Sequence, residues 1–209
     1  SHLAKATGAS VLLIDYRLSP ENTFPAAVED AKTAYNWMLD NGPEGEQRFE
    51  KSFIAGDSAG GGLSVATALA LKDDKGVLPN AIIPISPWAE MNPLSQSYED
   101  NKDTDPFVSR DGIAWFASVY VPNDGDRENP YASPLYGDFS GLPPMLIQVG
   151  TREVLLDDSK KLSEKAKSDG CEVELQIWDD MIHIFHGFAP FLPEANEALE
   201  AIGSFISDK

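Results

Sequence analysis

Short apolar runs alternate with longer segments of helical periodicity along most of the chain. Five runs predict strands: residues 11–16, 51–57, 81–86, 145–150 and 173–178. Helical periodicity or small-residue runs predict helices at residues 25–41, 59–72, 110–121, 156–168 and 194–206. Alternation of this kind predicts an α/β fold, with a mostly parallel sheet and helices on both of its faces.

Residues 1–209 are predicted to form one domain, because no internal repeat or linker divides the chain. The longest interruption of the alternating pattern is residues 88–141, where Pro-, Asn- and Asp-rich loops flank the predicted helix at 110–121. We interpret this segment as an insertion at the rim of a pocket. A hydrophobic content of 42% in 209 residues is enough for a sizeable core and excludes a disordered chain.

The chain carries 34 acidic and 16 basic residues, a formal net charge of −18. This charge argues against nucleic acid and anionic membranes as partners. We interpret the chain as a moderately acidic cytoplasmic protein, with adaptation to salt as the alternative. Cys171 stands alone, so no internal disulfide is expected. No apolar run approaches the roughly 20 residues that a membrane-spanning helix needs.

Ser58 lies in the run Gly-Asp-Ser-Ala-Gly (56–60), between a predicted strand and a small-residue helical run. A glycine on each side lets a strand turn sharply into a helix and present the serine hydroxyl above the sheet. The amide of Ala59 and the helix dipole would then help to stabilise an oxyanion. A phosphate-binding P-loop is excluded, because Leu63 follows the last glycine where that motif requires Lys.

A serine nucleophile needs a base and an acid, which this pattern places downstream, each after a strand. Glu153, Asp157 and Asp158 follow the predicted strand at 145–150, and His183 and His186 follow the one at 173–178. Neutral imidazole is the usual general base near neutral pH. The alternative, a metal site built from the two histidines and Asp179 or Asp180, lacks a third well-spaced His or Cys. We therefore predict neither a metal nor another cofactor.

Several motifs together resemble those of the hormone-sensitive-lipase-like α/β-hydrolases, also called bacterial family IV carboxylesterases. The resemblance covers almost the whole chain. It includes GDSAGGGL (56–63), DYRLSPE (15–21), ISPW (85–88), NPYASPL (129–135) and GLPP (141–144). It implies an α/β-hydrolase fold and hydrolysis of short-chain acyl esters.

The resemblance also orders the candidates for acid and base. Family members place the acid first in a D-P-L-x-D-like run, which here is Glu153-Val154-Leu155-Leu156-Asp157. Glu stands here where the family more commonly has Asp. Because this is the position of the family acid, we favour Glu153 and keep Asp157 as the alternative. His183 follows Glu153 by 30 residues, the separation that the family pattern implies. His186 precedes Gly-Phe as the family histidine does, but would require a three-residue insertion, so we favour His183.

One family motif has no counterpart in the sequence. The resemblance implies a His-Gly-Gly segment upstream of residues 1–21, whose amides join that of Ala59 around the oxyanion. We expect the chain to be a fragment without this segment, without the first strands and without the N-terminal cap helices. Loss of one oxyanion donor costs about a hundredfold to a thousandfold in turnover, so weak activity is expected. The exposed edges of such a sheet could pair with a second copy to form a homo-oligomer.

We therefore predict a serine carboxylesterase in which Ser58, Glu153 and His183 form the catalytic triad and Ala59 contributes an oxyanion amide. Trp88 and Phe188 are predicted to line the substrate pocket. An amidase or deacetylase with the same triad is one alternative. A hydrolase-fold binding protein without catalysis is the other.

Overall fold

The computed structural model describes residues 2–209, so the first residue of the predicted domain, Ser1, lies outside the described residues. In chain order the elements are α1 (His2–Thr7), α2 (Ala26–Met38), β1 (Asn41–Gly42), β2 (Gly45–Glu46), β3 (Phe53–Asp57), α3 (Ala59–Asp73), β4 (Ala81–Ile85), α4 (Ser97–Asp100), α5 (Arg110–Tyr120), β5 (Met145–Gly150), α6 (Leu156–Ser168), β6 (Val173–Trp178) and α7 (Pro193–Ser207). Short 3-10 turns complete the connections. The order confirms the predicted α/β class.

The centre of the fold is a parallel sheet with the strand order β3-β4-β5-β6. Each strand pairs with the next one in this order, for example Phe53 with Ala81 and Met145 with Val173. Parallel strands require long crossover connections, which α3 and α6 supply. The carboxyl ends of the four strands consequently lie at one edge of the sheet, where α/β proteins place their functional groups.

Helices cover both faces of this sheet. Neighbouring strand residues point to opposite sides, and apolar side chains on each side pack against helices. On one face, Ile82 and Met145 pack with α3, α6 and the buried Cys171. On the other, Ile83 and Leu146 pack with α7, and α1 adds partly buried side chains. Burial also raises the pKa of the Cys171 thiol to about 11, which suits a small core residue rather than a reactive one.

Helix boundaries agree with the sequence prediction to within a few residues, and α6 spans the predicted 156–168. Its first turn carries Asp157 and Asp158, and its last turn carries Lys165 and Lys167. This distribution of charge complements the helix dipole at both ends. Within residues 2–209, no helix combines the length and apolarity that a bilayer crossing requires.

The strand predicted at residues 11–16 is wrong: this segment is irregular and pairs with no strand of the sheet. This segment and β3 instead line a shared cavity of about 360 Å³. Leu13 is 91% exposed. An apolar run becomes a strand only if a neighbour takes its backbone hydrogen bonds, which local sequence does not reveal. The small β1–β2 hairpin was not predicted either.

Candidate active site

Ser58 occupies a sharp turn between β3 and α3. Its φ of 54° and ψ of −119° lie in a region that residues with side chains rarely adopt. The turn is held from the neighbouring strand end, since Ser58 N donates to Ile85 O at 2.9 Å and Trp88 N donates to Ser58 O at 3.0 Å. The surrounding contacts thus maintain a strained residue, as is common at functional sites.

The two glycines of this turn have different roles. A Cβ atom at Gly56 would collide with the carbonyl group of Gly60, so a side chain at residue 56 is incompatible with the turn. A Cβ at Gly60 would meet nothing within 4 Å among the atoms outside its own helix backbone and chain neighbours. A side chain is therefore excluded at Gly56, whereas no group outside the helix backbone excludes one at Gly60.

His183 connects Ser58 with Glu153 through both nitrogens of its ring. Its Nε2 lies 2.9 Å from Ser58 Oγ, and its Nδ1 lies 2.8 Å from Glu153 Oε2. Because an ionised carboxylate only accepts hydrogen bonds, the neutral ring carries its proton on Nδ1. Its Nε2 is then an acceptor for the Ser58 hydroxyl. His183 is 2% exposed and Glu153 is fully buried.

The carboxylate of Glu153 is held by two further donors. Ser86 Oγ donates to Oε1 at 2.8 Å, and Gly150 N donates to the same oxygen at 2.6 Å. Ser86 Oγ also accepts from Ile184 N at 3.3 Å, so one buried hydroxyl connects the acid with the backbone next to His183. A buried carboxylate needs such donors to offset its lost hydration. Ser86 was not among the predicted site residues, although it lies directly after β4, at the carboxyl end of a parallel strand where functional groups are common.

His186 lies in the same loop but has a different environment. Its Nε2 lies 3.0 Å from Gln148 Oε1, and the Gln148 amide nitrogen donates to Gln176 and to Ala198 O. The proton of the neutral ring is therefore on Nε2 and is used within the core. Burial, with a smaller contribution from His183, lowers the pKa of His186 to about 4. The structure thus brings His183, and not His186, between Ser58 and Glu153.

Asp157, the alternative acid, points away from His183. Its Oδ2 accepts from Ser97 N at 2.9 Å, and its Oδ1 pairs with Lys160. Asp179 and Asp180 lie at the surface, where Asp180 pairs with Arg152. Among residues 2–209, no group of three or more His, Cys, Asp or Glu side chains has the arrangement of a metal site.

The acid loop, residues 151–155, is held by side chains from the rim segment, residues 97–108. Asn101 donates to Thr151 O and Glu153 O, and Asp105 accepts from Val154 N. Two hydroxyls complete the set: Ser97 donates to Val154 O, and Thr104 donates to Arg152 O. Sequence spacing did not reveal these residues, because they lie about 50 positions from the loop that they hold.

A cavity of about 700 Å³ opens next to Ser58 and Ala59. Most of its lining is apolar and comes from the predicted insertion at 88–141: Trp88, Met91, Phe107, Val108, Ile113, Trp115, Phe116, Val119, Tyr120, Tyr131 and Ala132. Trp88 lines the cavity and is 8% exposed. Phe188 is not among the lining residues, but its ring stacks on that of Phe107 with centroids 6.5 Å apart.

Comparison with known proteins identifies the family of the chain. A family model described as an alpha/beta hydrolase fold matches residues 1–187. A crystal structure of an esterase from the bacterial hormone-sensitive lipase family superposes with a TM-score of 0.90 at 44% identity, covering 98% of this chain and 67% of that one. The chain is a hormone-sensitive-lipase-like α/β-hydrolase. The resemblance drawn from its motifs is thereby confirmed.

Two further similar proteins bear on activity. The acetyl-hydrolase of Streptomyces hygroscopicus is 42% identical over 207 residues, which are 99% of this chain and 67% of the relative. The crystal structure of EstE5 soaked with p-nitrophenyl butyrate gives a TM-score of 0.91 at 45% identity, covering 99% of this chain and 68% of that one. This chain thus spans about two thirds of the length of these relatives. The comparisons support a serine carboxylesterase and do not favour the amidase or the non-catalytic binding protein.

Proposed function

We propose that this chain hydrolyses short-chain acyl esters through an acyl-enzyme. The observation that carries the proposal is the continuous chain of hydrogen bonds from Ser58 Oγ through His183 to Glu153, facing a large apolar cavity. A hydroxyl bonded to an unprotonated imidazole nitrogen, with the opposite nitrogen bonded to a carboxylate, is the arrangement that activates a serine. The names of the relatives, an acetyl-hydrolase and an esterase soaked with a butyrate ester, support short acyl groups.

In the first step, Ser58 Oγ attacks the ester carbonyl while His183 Nε2 takes the hydroxyl proton. The carbonyl π electrons move to oxygen and form a tetrahedral oxyanion. The N–H of Ala59, at the start of α3, has no acceptor within its own helix and would donate to that oxyanion. The imidazolium is stabilised by Glu153, which stays ionised. Collapse of the intermediate breaks the bond to the alkoxy group, which leaves as the alcohol with the proton from His183.

In the second step, a water molecule attacks the acyl-enzyme. His183 Nε2 accepts a proton from the water, and a second tetrahedral oxyanion forms in the same place. Its collapse releases the carboxylic acid and returns the proton to Ser58 Oγ. No group other than water enters the balance of the two steps.

We also propose that residues 88–141 act as the pocket rim of a single domain, and that Trp88 forms part of the acyl site. The proposal is supported because residues 88–141 supply most of the cavity lining, including Trp88. We propose for Phe188 an indirect role, because it contacts the lining through the ring of Phe107.

The direct test compares hydrolysis of p-nitrophenyl acetate and butyrate with that of the corresponding p-nitroanilides. It uses this chain, a version extended upstream through a His-Gly-Gly segment, and Ser58→Ala of each. Ester hydrolysis that exceeds anilide hydrolysis and disappears in Ser58→Ala is expected. Preference for the anilide would favour an amidase. Absence of ester hydrolysis and of phosphonate labelling in both folded versions would favour a binding protein.

A further inference from the structure

The carboxylate of Asp105 bonds two different parts of the site at once. Its Oδ2 accepts from Val154 N at 3.0 Å, in the peptide that follows Glu153. Its Oδ1 accepts from Phe107 N and from Val108 N, both at 3.0 Å. Asp105 is 9% exposed, so little of its side chain meets bulk water. One rigid, planar group therefore fixes the acid loop relative to the aromatic lining of the cavity.

The two sides of this connection have different relations to the substrate. Val154 follows Glu153 directly, and the carbonyl of Glu153 is itself held by Asn101 at 2.7 Å. Phe107 and Val108 line the cavity, and the Phe107 ring stacks on Phe188, five residues after His183. The rim segment thus contacts the loop of the acid and, through an aromatic pair, the loop of the base.

We propose that Asp105 is a positioning residue that couples the acyl pocket to the triad. It holds Glu153 at the distance from His183 that the hydrogen bond requires, and it holds the backbone of Phe107 and Val108 where a longer acyl chain would pack. This inference rests on the proposed esterase function. It predicts that one substitution alters both turnover and acyl-chain preference, although residue 105 touches no reacting atom.

The test is Asp105→Asn, compared with Asp169→Asn as a matched control. Asp169 also accepts from the backbone N–H of a phenylalanine, Phe139, at 3.0 Å, but it follows the last turn of α6, about 20 Å along the helix from the turn next to the acid loop. In Asp105→Asn the side-chain amide can satisfy Val154 or the pair Phe107 and Val108, but not both, because its NH₂ group only donates. Rates are divided by the number of serines that a phosphonate labels, which corrects for unfolded protein.

For Asp105→Asn we expect kcat per labelled serine to fall about tenfold with both acetate and hexanoate p-nitrophenyl esters, because sub-ångström displacements of catalytic groups are costly. We expect KM to rise about fivefold for the hexanoate and less than about twofold for the acetate, whose acyl group has only one methyl to pack against the lining. Asp169→Asn should leave both constants within about twofold of the wild type. Unchanged kcat, or reduced kcat with an unchanged ratio of the two KM values, would overturn the coupling.

A second variant separates the two sides and guards against a misfolded Asp105→Asn protein. Ser97→Ala removes the bonds of the hydroxyl to Val154 O and to Asp157 N but touches neither Phe107 nor Val108. It should lower kcat several-fold without changing the ratio of the KM values. Normal kcat in a folded Ser97→Ala protein would contradict the role of the rim segment in holding the acid loop.

A proton NMR measurement tests the inference without any ester. The His183 Nδ1 proton bonded to Glu153 should give a low-field resonance that is weakened or shifted upfield in Asp105→Asn and unchanged in Asp169→Asn. An identical resonance in Asp105→Asn would overturn the positioning role. If the folded wild type hydrolysed no ester yet showed these spectral changes, the proposed function would fail while the positioning of Glu153 by Asp105 stood.

Discussion

The imidazole Nδ1 of His183 lies 2.8 Å from Oε2 of Glu153, in a pair that is almost completely excluded from water. The two residues follow the neighbouring strands β6 and β5, whose parallel pairing brings their carboxyl ends together. The carboxylate keeps the proton on Nδ1 and so leaves Nε2 free to accept from Ser58. The first two predictions concern this contact and the hydroxyl that supports it.

Glu153→Gln should lower kcat for p-nitrophenyl butyrate by about a thousandfold to ten-thousandfold, because the amide neither stabilises the imidazolium nor holds the required tautomer. Asp157→Asn is the control and should lower it by less than about threefold, since the Asp157 carboxylate bonds Ser97 N and Lys160 and not His183. Steady-state kinetics with active-site titration measure both. A Glu153→Gln protein with near-normal turnover would show that another group acts as the acid.

Ser86 is fully buried and has a φ of 45°, so its hydroxyl and its backbone can be tested separately. Ser86→Ala and Ser86→Gly both remove a hydrogen bond to the charged Glu153, which should lower kcat by about tenfold or more. Glycine relieves the positive φ, so Ser86→Gly should be the more stable variant by about 1 kcal/mol. Kinetics and thermal unfolding check the two parts. Equal kcat in the wild type and both variants would show that the hydroxyl of Ser86 does not support Glu153.

Gly150 allows the histidine loop, residues 179–188, to approach β5. A Cβ at residue 150 would collide with the carbonyl of Met181, two residues before His183. Gly150→Ala should therefore destabilise the fold by about 1–3 kcal/mol and reduce turnover. At Gly187, in the same loop, a Cβ meets nothing within 4 Å, so Gly187→Ala should change stability by less than about 1 kcal/mol. Urea unfolding of both variants measures the difference, and equal effects would contradict the packing argument.

His186 makes the fold sensitive to acid. Its pKa is lowered from 6.5 to about 4 in the folded protein. Between these two pH values His186 is therefore mostly protonated in the unfolded chain and mostly neutral in the folded protein. Stability from this residue is fully present above pH 6.5 and is lost as the pH falls toward 4. Between about pH 7.5 and about pH 5 the loss is about 2 kcal/mol.

His186→Gln keeps a donor for Gln148 but does not titrate, so it should lose about 2 kcal/mol less than the wild type over the same range. The buried Asp158, whose pKa burial raises to about 7, has the opposite effect: its contribution grows as the pH falls from 7 toward 3.8. Both proteins retain Asp158, so its effect cancels in the comparison. Parallel pH profiles of the unfolding free energy would contradict the role of His186.

The four strands of the sheet and the major helices followed from apolar periodicity, because each of these strands has a ladder partner in the sheet. Residues 11–16 have the same local pattern but no ladder partner, and local sequence carries no signal of that difference. Ser58 was identified by its own turn. The order of preference among the histidines and carboxylates depended on family spacing, whereas the contacts of His183 and His186 depend on tertiary packing.

The support of the site was the least predictable part. Ser97, Asn101 and Asp105 hold the acid loop from about 50 positions away, and their polar side chains resemble those of any surface loop in the sequence. Neither periodicity nor a short motif reports such long-range hydrogen bonds. The fold was therefore predictable where apolar residues repeat with the period of a strand or a helix. The site was predictable only at Ser58, whose neighbouring residues form a recognisable turn.

The most direct test of the account is mass spectrometry of the folded chain after incubation with a p-nitrophenyl phosphonate, with peptide mapping of the adduct. The account predicts one phosphonyl group on Ser58, released p-nitrophenol in equal amount, and no adduct in Ser58→Ala. His183→Gln should react far more slowly, since no base then takes the proton. A phosphonyl group on another residue, or ester hydrolysis that persists in Ser58→Ala, would contradict Ser58 as the nucleophile.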